Sequence, residues 1–254
     1  MFQTEVERLF VGVEHVARHA SDIRDLRSGQ LSLAAFPALA ARTLPRIITR
    51  FREAHPRIQI TLVSRSSRAL VDWVAAQRSD FGIGLMAVER PGVVFEPLGS
   101  FEGVCVLHPA HPLAARDVIH ATDLNGEPFI ALGVEDRSQF RVDQAFEGLR
   151  VARQVVIESQ QSEAACAFAA AGAGISVVEP FSASEFAPNV LAVRPFRPVV
   201  RFDMWLLLPA YRPRSRLTDA FIETFRAELQ RFRPLTLEEI SSHRTVSGFA
   251  GETS

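Results

Sequence analysis

Cysteine is scarce in this sequence, which holds two cysteines among 254 residues. Cys105 and Cys166 stand far apart in apolar surroundings, and no C-x-x-C pair is present. This spacing excludes the common thiolate metal sites and gives no basis for a disulfide scaffold. We predict two buried free thiols in a reducing compartment, with no metal and no cofactor.

Long apolar runs are also missing. No stretch stays apolar over the roughly 20 residues that a membrane-crossing helix requires, so we predict no membrane association. The first ten residues, MFQTEVERLF, carry acidic side chains and lack the apolar segment of a secretory signal. We therefore expect a cytoplasmic protein.

Neither sign of charge dominates. The formal net charge is −1, so no overall basic field would draw the chain onto a phosphate backbone. Arginine is concentrated between residues 194 and 216, with Asp203 as the acidic residue there, and we interpret this stretch as a solvated basic surface. The 47% hydrophobic and 22% charged content is that of an ordinary globular protein with one large domain or two smaller ones.

Enzyme signatures are absent as well. The sequence has no G-x-S-x-G elbow, no phosphate-binding P-loop and no H-E-x-x-H pair. His15 and His19 could share a metal at helical spacing, but without a third ligand we interpret them as solvent-exposed. His55, His108 and His111 adjoin prolines at predicted turns, which indicates a structural role. We expect no enzymatic activity.

Residues 1–28 predict one long helix, because they contain no proline and a single glycine. Its apolar side chains recur at alternating spacings of three and four: Val6, Leu9, Val13, Val16, Ala20 and Ile23. This narrow seam is typical of a helix that pairs with another helix, here about 40 Å long. We interpret it as a dimerisation or linker helix; the alternative is an amphipathic helix packed on its own domain.

From Gly29 onward, strand and helix patterns alternate. Strands are predicted at 31–36, 58–63, 81–86, 93–98, 103–107, 129–132, 151–157, 175–178, 190–193 and 202–208. Helices are predicted at 37–54, with a kink or second start at Pro45, and at 68–78, 139–149, 163–171 and 217–232. The strand at 202–208 is expected to return to a first, parallel lobe.

The predicted fold class is therefore α/β, with two Rossmann-like subdomains of the periplasmic-binding-protein type preceded by a long N-terminal helix. The boundaries drawn from the sequence are 1–28 for the linker or dimerisation helix, 29–108 with 207–232 for subdomain I, 109–206 for subdomain II, and 233–254 for a flexible tail.

A series of short motifs runs in order through the chain. They are Gly29-x-Leu31-x-Leu33, Leu44-Pro45, Phe51, His55-Pro56, Asp80-Phe81-Gly82-Ile83, His111-Pro112-Leu113-Ala114, Asp123-Leu124, Pro128-Phe129-Ile130 and Ala171-Gly172-Ala173-Gly174-Ile175. Each is short, but their order and spacing over residues 1–232 resemble the effector-binding domain of LysR-type transcriptional regulators.

This resemblance implies a two-lobed receptor for a small-molecule effector that assembles as a homodimer or homotetramer. In the family a winged helix-turn-helix precedes the linker helix, so we expect this chain to bind DNA only through an N-terminal domain that it lacks. The segment at 177–183, VVEPFSA, resembles the branch that senses opines, which are amino-acid conjugates. An amino-acid- or opine-like ligand is therefore expected.

The ligand of a two-lobed α/β receptor lies beyond the carboxyl ends of the strands, facing helix N-termini. This rule selects the segments at 36–38, 64–67, 129–133 and 159–162, which also line the effector pocket in the family. The candidate ligand-binding residues are Pro37, Ala38, Ser64, Ser66, Ser67, Phe129, Leu132, Gln160, Gln161 and Glu179.

Several of these residues have a structural alternative. Ser66 or Ser67 can cap a helix as well as contact a ligand. Glu179 can bind an amine or guanidinium of the ligand or pair with a local arginine, and we favour the structural role. Arg65 or Arg141 could anchor a carboxylate.

A two-lobed solute-binding protein for a small carboxylate is the alternative function. Such a protein should carry an export signal and no seamed N-terminal helix, and this sequence shows the reverse. We therefore favour the sensing and oligomerisation part of a transcription regulator.

Overall fold

The computed structural model describes residues 29–85, 90–133, 138–184 and 186–230, apart from the side chain of Ser138. The predicted helix over 1–28, with His15 and His19, and the predicted tail over 233–254 lie outside these ranges. The strands are β1 Gly29–Ala35, β2 Ile58–Ser64, β3 Phe81–Gly84, β4 Val93–Glu102, β5 Val104–Leu107, β6 Ile119–His120, β7 Pro128–Leu132, β8 Gln154–Ser159, β9 Ser176–Val178, β10 Ala192–Arg197 and β11 Arg201–Pro209. The α-helices are α1 Leu44–Ala54, α2 Ser67–Ala75, α3 Ser138–Gln144, α4 Ser162–Ala170, α5 Pro180–Ala183 and α6 Arg216–Leu229.

The first lobe is built on a five-stranded sheet with the order β2-β1-β3-β11-β4. Strand β1 pairs in parallel with β2 and β3, whereas β11 is antiparallel to both β3 and β4. The prediction that the strand near 202–208 returns to this lobe is confirmed. The three strands from which a parallel lobe was predicted, β1, β2 and β3, are parallel. The complete sheet is nevertheless mixed, because β11 returns from the second lobe in the opposite direction.

The second lobe is also a mixed sheet. Its four-stranded part has the order β6-β10-β5-β9, and β7 and β8 form a parallel pair beside it. A parallel bridge between Phe129 and Ile175 joins the two parts, and the Ile130 amide donates to the Ile175 carbonyl at 2.8 Å. The described strands therefore continue as β6-β10-β5-β9-β7-β8. The Rossmann-like character predicted for each lobe is limited to its parallel portion.

Each time the chain crosses between the lobes, one strand joins a different sheet from the one that the predicted subdomain boundary assigned to it. Strand β5 pairs with β9 and β10 in the second sheet, although the boundary at 108 assigned it to subdomain I. Strand β11 pairs with β3 and β4 of the first sheet, although the boundary at 206 assigned most of it to subdomain II. Both strands are apolar runs buried within a sheet, and such runs carry no signal for which sheet they join.

The first helical segment confirms the second start predicted at Pro45. A π-helical turn, Leu39–Thr43, precedes α1, which begins at Leu44 with the proline in its first turn. Proline fits there because the first amides of a helix have no acceptor within it. Two other elements shift: the helix predicted at 139–149 ends at Gln144, and the strand predicted at 190–193 lies at Ala192–Arg197.

Aromatic side chains fill the core of the first lobe. Phe221 of α6 is fully buried and lies with its ring centroid 5.1 Å from that of Phe51 and 5.7 Å from that of Phe81. In the second lobe both faces of the sheet are buried, so that Cys105 packs on one side of β5 and Val106 on the other. This two-sided burial explains why β5 is a continuous apolar run.

Both cysteines are free and buried, as predicted. Burial raises the pKa of Cys105 and of Cys166 far above the ordinary value of 9.0, because the apolar surroundings disfavour the thiolate.

We expect both thiols of the native protein to resist a thiol-specific disulfide reagent at about pH 8, since the thiolate is the reactive form. Unfolding in guanidinium should release both thiols, and counting labelled thiols by mass spectrometry before and after unfolding checks this. Rapid labelling of the native protein would contradict the buried placement.

The unfolded chain loses the two thiol protons at a lower pH than the folded chain does. The free energy of unfolding should therefore fall as the pH rises through 9.0.

Candidate functional site

The carboxyl ends of the parallel strands share one edge in the first lobe. Ala35 at the end of β1 lies in register with Ser64 of β2 and with Ile83 of β3. The chain leaves this edge at Phe36 and at Arg65. Pro37, which follows Phe36, and Ser66, which follows Arg65, therefore belong to the same edge of the lobe.

The second lobe has a corresponding edge. Leu132 of β7 lies in register with Ser159 of β8, and the bridge at Ile175 aligns β9 in parallel with them. Gly133, Gln160 and Glu179 follow the three strand ends. A Cβ atom at Gly133 would lie 3.0 Å from the Cα of Gln160, so this close approach of the two chains favours glycine.

The two edges meet across the lobes. The ring of Phe36, just beyond β1, makes an edge-on contact with that of Phe181, just beyond β9, at a centroid distance of 6.3 Å. Arg42 of the π-helical turn forms an ion pair with Glu163 in the first turn of α4, with Nε and Oε1 2.8 Å apart. We define the zone where these edges meet as the candidate site.

The predicted ligand-binding residues differ in accessibility. Ser64, Gln160 and Gln161 are exposed, Pro37 and Ser66 are half-buried, and Ala38, Ser67, Phe129, Leu132 and Glu179 are buried. The accessible polar side chains are therefore two serines of the first lobe and two glutamines of the second. Phe129 belongs to the core, where its ring packs on Phe146 and beneath the guanidinium of Arg153.

The structural alternatives considered for several residues are present in the structure. The amide of Ala69 donates to Ser66 Oγ at 3.5 Å, so Ser66 caps α2. Arg65 donates to the Ser64 carbonyl and lies over the Trp73 ring at 4.5 Å. Arg141 pairs with Asp203 at 3.5 Å.

Glu179 takes a structural contact within its own turn. Its side chain is 1% exposed and accepts a hydrogen bond from the hydroxyl of Ser182 in α5. It also lies near enough to Cys166 for its charge to add to the rise in that thiol's pKa. This arrangement supports the structural role that we favoured for Glu179.

A network of polar side chains is hydrogen-bonded to the end of β7. The Leu132 amide donates to Gln139 Oε1 at 2.7 Å, and Gln139 Nε2 donates to Asp143 Oδ1 at 2.6 Å. Asp143 in turn pairs with Arg153 at 2.7 Å. The spacing of Gln139 and Asp143 by four residues on α3 is the sequence signal for this network, and our sequence interpretation missed it.

The family model described as the LysR substrate binding domain matches residues 24–230. The chain belongs to this family. It is 34% identical to the transcriptional activator protein LysR of Escherichia coli K12 over 243 residues, which covers 96% of this chain and 78% of that protein. It is 32% identical to the regulatory protein NocR of Agrobacterium tumefaciens, with 85% and 72% of the chains covered. For the octopine catabolism/uptake operon regulatory protein OccR of Rhizobium meliloti the identity is 30%, with coverage of 87% and 73%.

Solved structures share the fold of this LysR substrate-binding domain. The regulatory domain of CcmR from Synechocystis, in complex with 2-PG, superimposes with a TM-score of 0.69 at 23% identity and covers 81% of this chain and 99% of its own. The effector-binding domain of QuiR in complex with shikimate gives a TM-score of 0.66 at 17% identity, with coverage of 82% and 100%. The chain is thus the effector-binding domain of a LysR-type regulator, and the family is not enzymatic.

Apart from histidine, arginine supplies every basic side chain of this LysR substrate-binding domain, because the sequence contains no lysine. Between residues 194 and 216, four arginines bind protein groups, and two of them, Arg197 and Arg214, also stay exposed to solvent as expected. Arg194 donates to the carbonyls of Ala114 and Arg116, and the ion pairs are Arg197–Glu102, Arg212–Asp80 and Arg214–Glu96.

Among the described residues, no helix combines the length and apolar character that a bilayer crossing requires.

Proposed function

We propose that this chain senses an amino-acid- or opine-like effector and passes the signal on within a homo-oligomeric transcription regulator. The observation that carries the proposal is the meeting of the two strand-end edges, with hydroxyl groups on one side and carboxamide groups on the other. Hydroxyls and carboxamides can both donate and accept hydrogen bonds, as the carboxylate and ammonium groups of an amino acid require. The likeness to OccR, whose name refers to octopine, supports the same ligand class.

Effector binding would act by stabilising one arrangement of the lobes over another. A ligand shifts such an equilibrium only through contacts that differ between the two arrangements. Contacts to Ser66 in one lobe and to Gln160 in the other meet this condition, since both form together only at one separation of the edges. The change would reach DNA through a separate N-terminal domain.

A homodimer or homotetramer is part of the proposal. The seam from Val6 to Ile23 would pair two chains, as its spacing predicts. The outer strand β8 of the second sheet adds support, because Val155 and Val156 are 56% and 52% exposed there. Exposed apolar side chains on an edge strand favour association with a second chain.

A thermal-shift screen of amino acids, opines and aromatic acids tests the ligand class. At a concentration of about 100 times Kd, a ligand should add about 2.7 kcal/mol to the stability. For a chain of this size the midpoint should rise by about 5–10 °C. The change of Gln160 to Ala should weaken binding of the best compound about tenfold without changing the melting temperature of the free protein, because the side chain is exposed.

Gln154→Ala is the matched control, since Gln154 is an exposed glutamine at the opposite end of β8. It should bind the effector as the unchanged protein does. Stabilisation only by acids that have no cationic group, such as benzoate or shikimate, would overturn the amino-acid-like ligand. Equal affinity in both variants would remove Gln160 from the site.

A further inference from the structure

An ion pair between the lobes stands beside the predicted ligand segments. Arg42 lies four residues after Ala38, and Glu163 lies two residues after Gln161. Their side chains meet with Nε and Oε1 2.8 Å apart, in a hydrogen bond donated by the arginine. Each residue therefore continues one of the chain segments that the strand-end rule selects, from opposite lobes.

The surroundings keep both charges in place and accessible. The Arg42 side chain is 40% exposed and that of Glu163 27% exposed, so solvent reaches both groups. The guanidinium of Arg42 also lies over the Phe186 ring, 5.9 Å from its centroid, which holds it from the side of the second lobe. Ion pairs as exposed as this one add little to stability, so a ligand could replace this pair at small cost.

We propose that Arg42 and Glu163 select a zwitterionic effector by each taking the opposite charge of that molecule. Arg42 binds a carboxylate of the effector, and Glu163 binds its ammonium or guanidinium group. The ion pair between Arg42 and Glu163 is thereby replaced by two ion pairs with the effector. The effector then connects the two lobes in place of the direct contact between the side chains. The proposal deepens the proposed function and rests on it.

The charge arrangement favours this class over a simple acid. A carboxylate without a cation would compete with Glu163 for Arg42 and would leave the glutamate without its partner. A zwitterion leaves neither charge uncompensated. Arg65 and Arg141, the arginines first considered as carboxylate anchors, already bind protein groups. Arg42 differs from them because its partner is a carboxylate that stands beside a predicted ligand segment of the opposite lobe.

Calorimetric titration of the full chain with octopine tests the proposal, with succinate as a comparison acid that has no cationic group. Arg42→Gln and Glu163→Gln should each raise the Kd for octopine at least about tenfold. Glu163→Gln should also reduce the preference for octopine over succinate at least about tenfold, since it removes the charge that competes for Arg42. Melting temperatures of the free variants should stay within about 2 °C of the unchanged protein.

Arg52→Gln and Glu53→Gln are the matched controls, because both residues are exposed on α1. They should bind octopine as the unchanged protein does. If octopine binds and the Arg42 and Glu163 variants match these controls, the proposal fails while the proposed function stands. If the variants lose stability but keep the preference for octopine, the pair only holds the lobes together and the proposal also fails. If no amino-acid-type compound binds the unchanged protein, the proposed ligand class and this proposal fail together.

Discussion

Replacing Asp80 by alanine is expected to lower the free energy of unfolding by about 3–5 kcal/mol. The side chains of Asp80 and Arg212 are 7% and 13% exposed, and their charged atoms lie 2.7 Å apart. Asp80 Oδ2 also accepts from the Ser32 amide at 2.6 Å, and the Asp80 amide donates to the Ser32 carbonyl at 2.7 Å. The carboxylate thus ties the start of β3 to β1 and to the segment after β11, and its loss leaves a buried guanidinium without its counter-charge.

Urea unfolding measures this effect, and two further variants define its cause. The double change of Asp80 to Ala and Arg212 to Leu should recover part of the loss, because no charge is then left buried alone. Asp219→Ala should cost less than about 1 kcal/mol, because Asp219 is 53% exposed and pairs loosely with Arg214. A loss below about 1 kcal/mol for Asp80→Ala would show that the pair is not buried in solution.

The order of strands and helices was predictable because local patterns determine it. The apolar spacing of Ile47 and Phe51, with Pro45 before them and His55-Pro56 after them, predicts a helix that the structure places at Leu44–Ala54. Alternation at 58–63 likewise predicts β2. These signals need no knowledge of the rest of the chain, since each depends on the periodicity of one element.

The pairing of the strands was not predictable in the same way. Val104–Leu107 and the Leu206–Leu208 part of β11 are apolar at every position, because both faces of each strand are covered. Such runs do not reveal which sheet they join or in which direction. The pattern of strands and helices correctly predicted a return strand at 202–208, but the direction of β11 makes the first sheet mixed.

The candidate site was predictable at the level of segments rather than side chains. The rule that ligands lie beyond strand ends selected the chain around Ala35, Ser64, Leu132 and Ser159, and the register confirms that these ends align within each lobe. It could not show that Phe129 enters the core, since side chains alternate between the faces of a strand. It also missed Arg42, whose partner Glu163 lies 121 residues further along the chain.

Phe181→Ala is expected to cost about 3–5 kcal/mol, as truncation of a buried phenylalanine in a tight core does. Phe181 has no exposed surface, and its ring lies 4.8 Å from that of Phe101 and 6.3 Å from that of Phe36. Both neighbours belong to the first lobe, whereas Phe181 stands in α5 of the second. The cavity would therefore open between the lobes and beside the candidate site.

Phe225→Ala separates this local effect from a general loss of stability. Phe225 is 1% exposed in α6 and should cost a similar amount in urea unfolding. Hydrogen exchange read out by mass spectrometry should then differ: Phe181→Ala should speed exchange in the π-helical turn Leu39–Thr43 and in α4, because both pack where the lobes meet. Phe225→Ala should leave these two segments as protected as the remainder of their lobes. Equal exchange in the two variants would mean that Phe181 stabilises the chain as a whole and does not hold the lobes together at the site. The contacts between Phe36, Phe101 and Phe181 would then have no specific role in setting the separation of the two edges.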